Sequence, residues 1–222
     1  MKIKPKHQIS ESIELGIILA IIGGFMDVYS YKARGKVFAN AQTGNILLCG
    51  IYISEGNFTK SIQYFFPVFA FTLGIIISNI LYQKNIKKLH WRQISVFIEC
   101  IILIIVAFIP LKFNFLANTL TSFACGTQVE SFRKIHGKAI STTMCIGNLR
   151  NATQSICQYF KLKKTEDLMC SLLYLGTIFC FVLGAIIGNI FIKTFNQYAI
   201  LFNSLFLFIA CLMMFIDREN ND

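Results

Sequence analysis

Six runs of mostly apolar residues, 13–31, 62–82, 93–111, 113–129, 168–192 and 198–216, dominate the 222-residue chain. Each is close to the roughly 20 residues that a helix needs to cross the hydrocarbon core of a bilayer. A soluble fold of this length has no core large enough for them: the chain carries 22 Phe and 14% charged residues, where about a quarter charged is usual. These features lead us to expect an all-α integral membrane protein, with residues 1–222 forming a single membrane domain in contact with the lipid bilayer. Pro110 and Lys112 leave little room for a loop between the third and fourth runs, so that joint is expected to be tight.

Two further segments resist this reading. Residues 37–53 (VFANAQTGNILLCGIYI) and 139–156 (AISTTMCIGNLRNATQSI) are long enough to enter a membrane, but their centres are crowded with Asn, Gln, Thr and Gly, and the second holds Arg150. Backbone that breaks inside a membrane survives only where protein or a water-filled cavity surrounds it. Both are therefore expected as re-entrant or broken segments beside six full transmembrane helices, with seven or eight spans as the alternatives.

The basic residues arbitrate between these counts. With six spans and both termini cytoplasmic, fourteen Lys and Arg outside the two segments fall inside (Lys2, Lys4, Lys6, Lys84, Lys87, Lys88, Arg92, Arg133, Lys134, Lys138, Lys161, Lys163, Lys164, Arg218) and six outside (Lys32, Arg34, Lys36, Lys60, Lys112, Lys193). With eight spans the split is nine against eleven. Only the first obeys the retention of positive charge on the cytoplasmic face. The formal charge of +10 thus reads as topology, and nucleic acid is not expected as a partner.

The two polar segments align with each other. Gly44 and Asn45 recur 103 residues later as Gly147 and Asn148; at that offset Asp27 falls on Glu130, and after a one-residue shift GKV at 35–37 resembles GKA at 137–139. Downstream, FAFTLGIIISNI at 69–80 resembles FCFVLGAIIGNI at 179–190. Order, spacing and residue type recurring over four blocks point to duplication, with halves 13–111 and 113–216. Three full spans in each half make the second copy enter from the opposite face, which is the inverted-topology repeat common in transporters.

The polar residues within these runs are the candidate site. Asp27 follows Gly23 and Gly24 in the first run, where a charge is costly in lipid and faces the bundle or a cavity. It fits an ion pair with Arg150 or Lys36, a proton-linked or cation-binding carboxylate, or an interfacial position. Asn40, Gln42, Thr43, Gly44 and Asn45 form the densest neutral cluster, with Gly44 expected to let the backbone turn; Gly147, Asn148, Arg150 and Asn151 are its partners in the second half, beside Thr142 and Thr143. They fit a translocation or ligand site, or equally amides that satisfy broken backbone and join the halves. Glu99, deep in the third run, fits a helix contact better than transport chemistry; Glu130 fits the end of the fourth run.

Catalysis has no comparable signal. His7, His90 and His136 lie in the tail or basic loops without metal-ligand spacing, and neither HExxH nor a nucleophile elbow is present. The eight cysteines sit in or beside apolar stretches without a CxxC pair and read as packing. No enzyme activity and no cofactor are expected.

GGFMDVYSY at 23–31, GKVFANAQTGNILLCGI at 35–51 and IGNLRNATQSI at 146–156 together resemble the YoaK family of small multi-spanning bacterial membrane proteins. The resemblance runs from the first span to the last, with Ile146 standing where the family's second motif would have Thr. It implies the bacterial cytoplasmic (inner) membrane and names no substrate. The residues themselves lead to a transporter or channel-like permease for a small solute or ion, lined by the two broken segments and able to form a homo-oligomer. The competing reading is a non-transport scaffold or assembly factor.

Overall fold

The computed structural model describes residues 12–84 and 91–219. Lys2, Lys4, Lys6, Lys87, Lys88, His7 and His90 lie outside the described residues, as does the side chain of Arg218. Within them the chain forms α1 (Ile13–Ala33), α2 (Gln42–Ser54), α3 (Phe58–Gln83), α4 (Trp91–Phe108), α5 (Asn114–Ser131), α6 (Cys145–Leu162), α7 (Thr165–Phe195) and α8 (Ile200–Glu219). The six apolar runs are α1, α3, α4, α5, α7 and α8, with ends a few residues from those expected. Among the described residues four stretches are long and apolar enough to cross a membrane: α1, α3, α4, and Thr165–Met214, which holds α7 and most of α8. Most polar residues of α5, among them Asn118, Thr121, Ser122 and Gln128, are buried.

Local chemistry sets the helix ends. Ser12 Oγ accepts the Leu15 N–H at 3.2 Å, supplying one of the partners that a first helical turn lacks. Gly56, with φ of 71°, turns α2 into α3, whose first turn is capped by Asn57 Oδ1 on the Lys60 N–H at 3.2 Å. Pro110 precedes a short 3-10 turn, Leu111–Phe113, and makes the expected tight joint between α4 and α5. The all-α expectation needs one correction. After α5, β1 (Lys134–Ile135) pairs antiparallel with β2 (Lys138–Ala139) through His136 and Gly137, whose φ values of 51° and 74° suit a two-residue hairpin turn.

Two parallel helix pairs form the centre. α1 packs on α7 and α3 on α5, and glycines bring each pair together: a Cβ on Gly24 would overlap the Phe181 carbonyl and one on Gly184 the Ile21 carbonyl. Gly74 and Gly126 stand in the same relation to the carbonyls of Phe123 and Phe71. Side chains cannot interpose, so backbones touch and dispersion contacts are maximal.

The pairs run in opposite senses, as Asn118 Nδ2 donating to Arg34 O (2.7 Å) and Gln128 Nε2 donating to Leu19 O (3.1 Å) set α5 antiparallel to α1. α8 lies antiparallel to both α1 and α4, tied by Tyr29 to the Gln197 carbonyl (2.8 Å) and by Gln93 to the Met214 carbonyl (3.0 Å). Since α1 and α3 run in opposite directions, the end of α1 and the start of α3 share one end of the bundle. α5 and α7 meet in the same way at the other.

Replacing Gly184 by Leu forces α1 and α7 apart, an overpacking cost of about 1–3 kcal/mol or more. Gly176→Ala, in the same helix with open space around it, is expected to be neutral or slightly stabilising. Thermal unfolding in detergent, followed by far-UV circular dichroism, separates the two.

Candidate functional site

Each polar segment consists of irregular backbone leading into a helix, 34–41 into α2 and 140–144 into α6. Irregular backbone packed among helices must find partners for its N–H and C=O groups. In both segments an Asn on the first helical turn supplies them. Asn45 Oδ1 accepts the Phe38 N–H (3.1 Å) while its Nδ2 donates to the Phe38 carbonyl (2.7 Å). Asn148 does the same to Ser141, at 3.2 and 2.6 Å. Both Asn side chains are buried and both reach seven residues back. A side-chain amide carries on adjacent atoms the donor and the acceptor that one residue's backbone requires.

The segments differ in what holds their last residues. In the first, Asp27 on α1 accepts the Asn40 N–H at 2.7 Å, and the N–H groups of Ala39 and Ala41 also reach its carboxylate. In the second, the Ser141 hydroxyl accepts the N–H groups of Thr143 (3.4 Å) and Met144 (3.1 Å), which stand 103 residues after Asn40 and Ala41. Glu130, aligned with Asp27 in sequence, instead accepts from Asn79 (3.2 Å) and lies 3.4 Å from Arg133. One half therefore brings a carboxylate to its broken segment and the other a neutral hydroxyl.

Between the two segments lies a cavity of about 720 Å³. Asp27, Val28 and Tyr31 of α1, Phe71 of α3 and Phe181 of α7 form its walls; Phe38 and residues 40–43 enter from one segment and Thr143 to Ile146 from the other. The first residues of α2 and α6 both face it. Neither helix has a side-chain N-cap, as Ala41 and Met144 occupy those positions. Free N–H groups and the helix dipole make such an end attractive to negative charge. Two residues of the lining, Asn40 and Thr143, are only 2% and 3% exposed, and their Oδ1 and Oγ1 atoms are buried without a hydrogen-bond partner in the protein.

Asp27, Asn40, Gln42 and Thr43 thus border the cavity. Asn45 and Asn148 lie behind it, committed to backbone. Gly44 is within the first turn of α2, where a Cβ would come within 2.9 Å of the Phe38 ring, so it makes room for that ring instead of turning the chain. Gly147 is exposed in α6 with open space around it. Arg150 is exposed on α6 and Asn151 reaches Tyr174 on α7; neither borders the cavity. Glu99 is wholly buried in α4, away from the cavity, with neither carboxyl oxygen hydrogen-bonded. Among the described residues no group of three or more His, Cys, Asp or Glu could hold a metal ion.

Ser141, Phe71 and Phe181 escaped the sequence reading, though a signal existed: Ser141 precedes Asn148 as Phe38 precedes Asn45, and Phe71 and Phe181 share a position in the repeated FAF and FCF blocks. Arg34 had no such signal. It is wholly buried and donates to the carbonyls of Val106 (2.7 Å) and Ile109 (2.8 Å) and to the Tyr29 hydroxyl (2.8 Å).

Residues 15–213 match the family described as Protein of unknown function (DUF1275). The chain belongs to that family. It is 26% identical over 181 residues to UPF0700 transmembrane protein YoaK of Bacillus subtilis (strain 168), covering 77% of this chain and 79% of that one. No solved structure matches. With its apolar helices, the chain is a helical membrane protein.

Removing the amide at Asn148 with Ala strands the Ser141 N–H and carbonyl, at about 1–3 kcal/mol for each group left unpaired. Asn45→Ala is expected to act alike on Phe38. Arg150→Gln, at an exposed position, should stay within about 0.5 kcal/mol of the parent. Equilibrium unfolding of the three variants in one detergent gives the comparison.

Proposed function

We propose that the chain is a permease for a small solute, with its binding site in the cavity between the N-termini of α2 and α6. The observation that carries this reading is the cavity itself, which lies between the first residues of α2 and α6, neither helix having a side-chain N-cap, with Asp27 in its lining. A mostly apolar cavity with a few convergent polar groups is the usual form of a small-molecule site. Transport is favoured over catalysis because the carboxylate that borders the cavity is fastened to loop N–H groups, and the other polar groups there are mainly amides and hydroxyls.

The reading includes a topology. α1, α3, α4, α5, α7 and α8 cross the bacterial inner membrane, both termini are cytoplasmic, and the segments carrying α2 and α6 re-enter from opposite faces. The helix directions favour it, since each broken segment leaves and returns at one end of the bundle. The matching Asn45 and Asn148 geometries and the matching glycine crossings favour two inverted copies, a design that places half-helix N-termini at a central site. α5 then crosses as an interior helix with its polar face turned inward.

Two measurements test these claims. Single cysteines placed at Glu55 and Lys163 in a cysteine-free background are expected to label from opposite sides in intact cells, Glu55 from outside; full crossing by α2 and α6 would put both inside. Purified protein in sealed liposomes should carry a member of a broad solute panel, and Thr43→Trp, which fills the cavity from the start of α2, should cut that flux at least tenfold while leaving the unfolding midpoint unchanged. No flux for any solute under imposed ion gradients, from folded protein, would move the assignment to a scaffold.

A further inference from the structure

We propose that the cavity takes a monovalent organic cation with an apolar body, its charged end at Asp27 and its body against aromatic side chains and the α6 wall. This rests on the permease reading and assigns its substrate class. Among the described residues that line the cavity, Asp27 is the one with a charge, and none is Lys, Arg or His. Arg150, a partner expected from the sequence, is exposed on α6 and does not border the cavity. The loop N–H groups that reach Asp27 fix where its carboxylate stands, and as dipoles they leave it a net negative charge. Charge of one sign in a mostly apolar chamber is costly unless a counter-charge joins it.

The side chains near that carboxylate suit an organic cation. Tyr31 lies one helical turn beyond Asp27 on the same face of α1, and its ring stacks on that of Phe38 with centroids 5.1 Å apart. Gly24, one turn before Asp27, is where α1 touches the backbone of Phe181. Tyr31, Phe38 and Phe181 thus stand close to the level of Asp27 along α1, and all three line the cavity. Aromatic rings attract a cation through their quadrupole and offer apolar surface to the rest of the molecule. On the α6 wall, Met144, Cys145 and Ile146 add apolar lining.

The two helix ends do not reverse this balance. α2 spends two of its first N–H groups on its own loop, Gln42 on the Asn40 carbonyl (2.7 Å) and Gly44 on the Ala41 carbonyl (2.9 Å). The end of α6 carries about half an elementary charge against the whole charge of Asp27. It repels the cationic group and so turns it toward Asp27, leaving the apolar body at Met144 and Ile146. An anion would bring a second negative charge into the chamber that holds Asp27.

The test uses the full chain, purified in detergent, and isothermal titration with three probes that share one body: 2-phenylethylamine, which is cationic, 2-phenylethanol, which is neutral, and 3-phenylpropanoate, which is anionic. The amine is expected to bind at least about tenfold more tightly than the alcohol, and the propanoate more weakly than both. Asp27→Asn keeps an oxygen for the loop N–H groups and removes the charge, so it should bring the amine down to the affinity of the alcohol, with the unfolding midpoint as the check on folding. Phe181→Leu keeps apolar bulk and leaves the loop alone; it should weaken the amine several-fold more than the alcohol. Equal binding of amine and alcohol overturns the proposal, as does tightest binding of the propanoate, equal weakening of both by Phe181→Leu, or no binding of any probe.

Liposome flux of the labelled trimethylammonium derivative of the amine, whose fixed charge does not cross lipid unaided, separates the two claims. The expected binding pattern without flux keeps the cation site and removes the permease. Flux of some other solute, with the binding pattern absent, keeps the permease and removes the cation.

Discussion

Two asparagine side chains make the architecture possible. Within a helical bundle a stretch of irregular chain is costly unless each of its backbone groups is paired, because no bulk water reaches it. Asn45 and Asn148 meet that demand by closing a ring onto the residue seven positions earlier, so the loop is fixed by the helix that follows it. Once the loop is fixed, α2 and α6 must start where they do. Their N-termini then face one another's side of the bundle, and a cavity with two helix ends becomes available. The glycine crossings of α1 with α7 and α3 with α5 complete the arrangement, with Phe71 of α3 and Phe181 of α7 in the cavity lining.

A shared framework leaves freedom in how the loop ends are held. Asp27 does from a neighbouring helix what Ser141 does from within its own loop, and both satisfy equivalent N–H groups. Geometrically the two solutions are nearly interchangeable. Electrostatically they are not, since a carboxylate offsets the positive end of α2 while a hydroxyl leaves that of α6 exposed. Chemical difference between the halves therefore resides in one substitution of anchoring group and not in a difference of fold.

Much of this was legible in the sequence, for reasons that can be named. The apolar runs announce helices because lipid tolerates them and a small aqueous core does not, and α1, α3, α4, α5, α7 and α8 lie within a few residues of those runs. The polar centres of 37–53 and 139–156 likewise mark broken segments, since unpaired amides are not placed at random in such surroundings. What remained hidden depends on direction in space. Nothing in the string TGN says that Gly44 clears room for Phe38, or that Asn45 points back along the chain instead of into the cavity. Arg150 looked like a site residue because it is a charge amid polar neighbours, yet the exposed side of α6 is where it lies. The hairpin at Lys134 to Ala139 was missed because two-residue strands have no periodicity to detect.

Arg34 shows how burial changes the meaning of a charge that was counted as a topological signal. Its guanidinium is enclosed at the end of α4, where it donates to the Ile109 carbonyl and to the Val106 carbonyl, which also accepts the Ile109 N–H, and the negative end of that helix's dipole favours a cation there. Arg fits this place better than Lys, because a planar fork can serve two carbonyls and the Tyr29 hydroxyl at once. The residue thus acts as a cap shared by α1, α4 and α5, the last through Asn118 on the Arg34 carbonyl. In the proposed orientation Arg34 belongs to the outer face, one of the six basic residues that weighed against fourteen within. A charge neutralised by helix carbonyls in the fold no longer competes for solvent or for the cytoplasmic leaflet. In that proposed orientation the asymmetry of solvent-facing charge is steeper than fourteen against six.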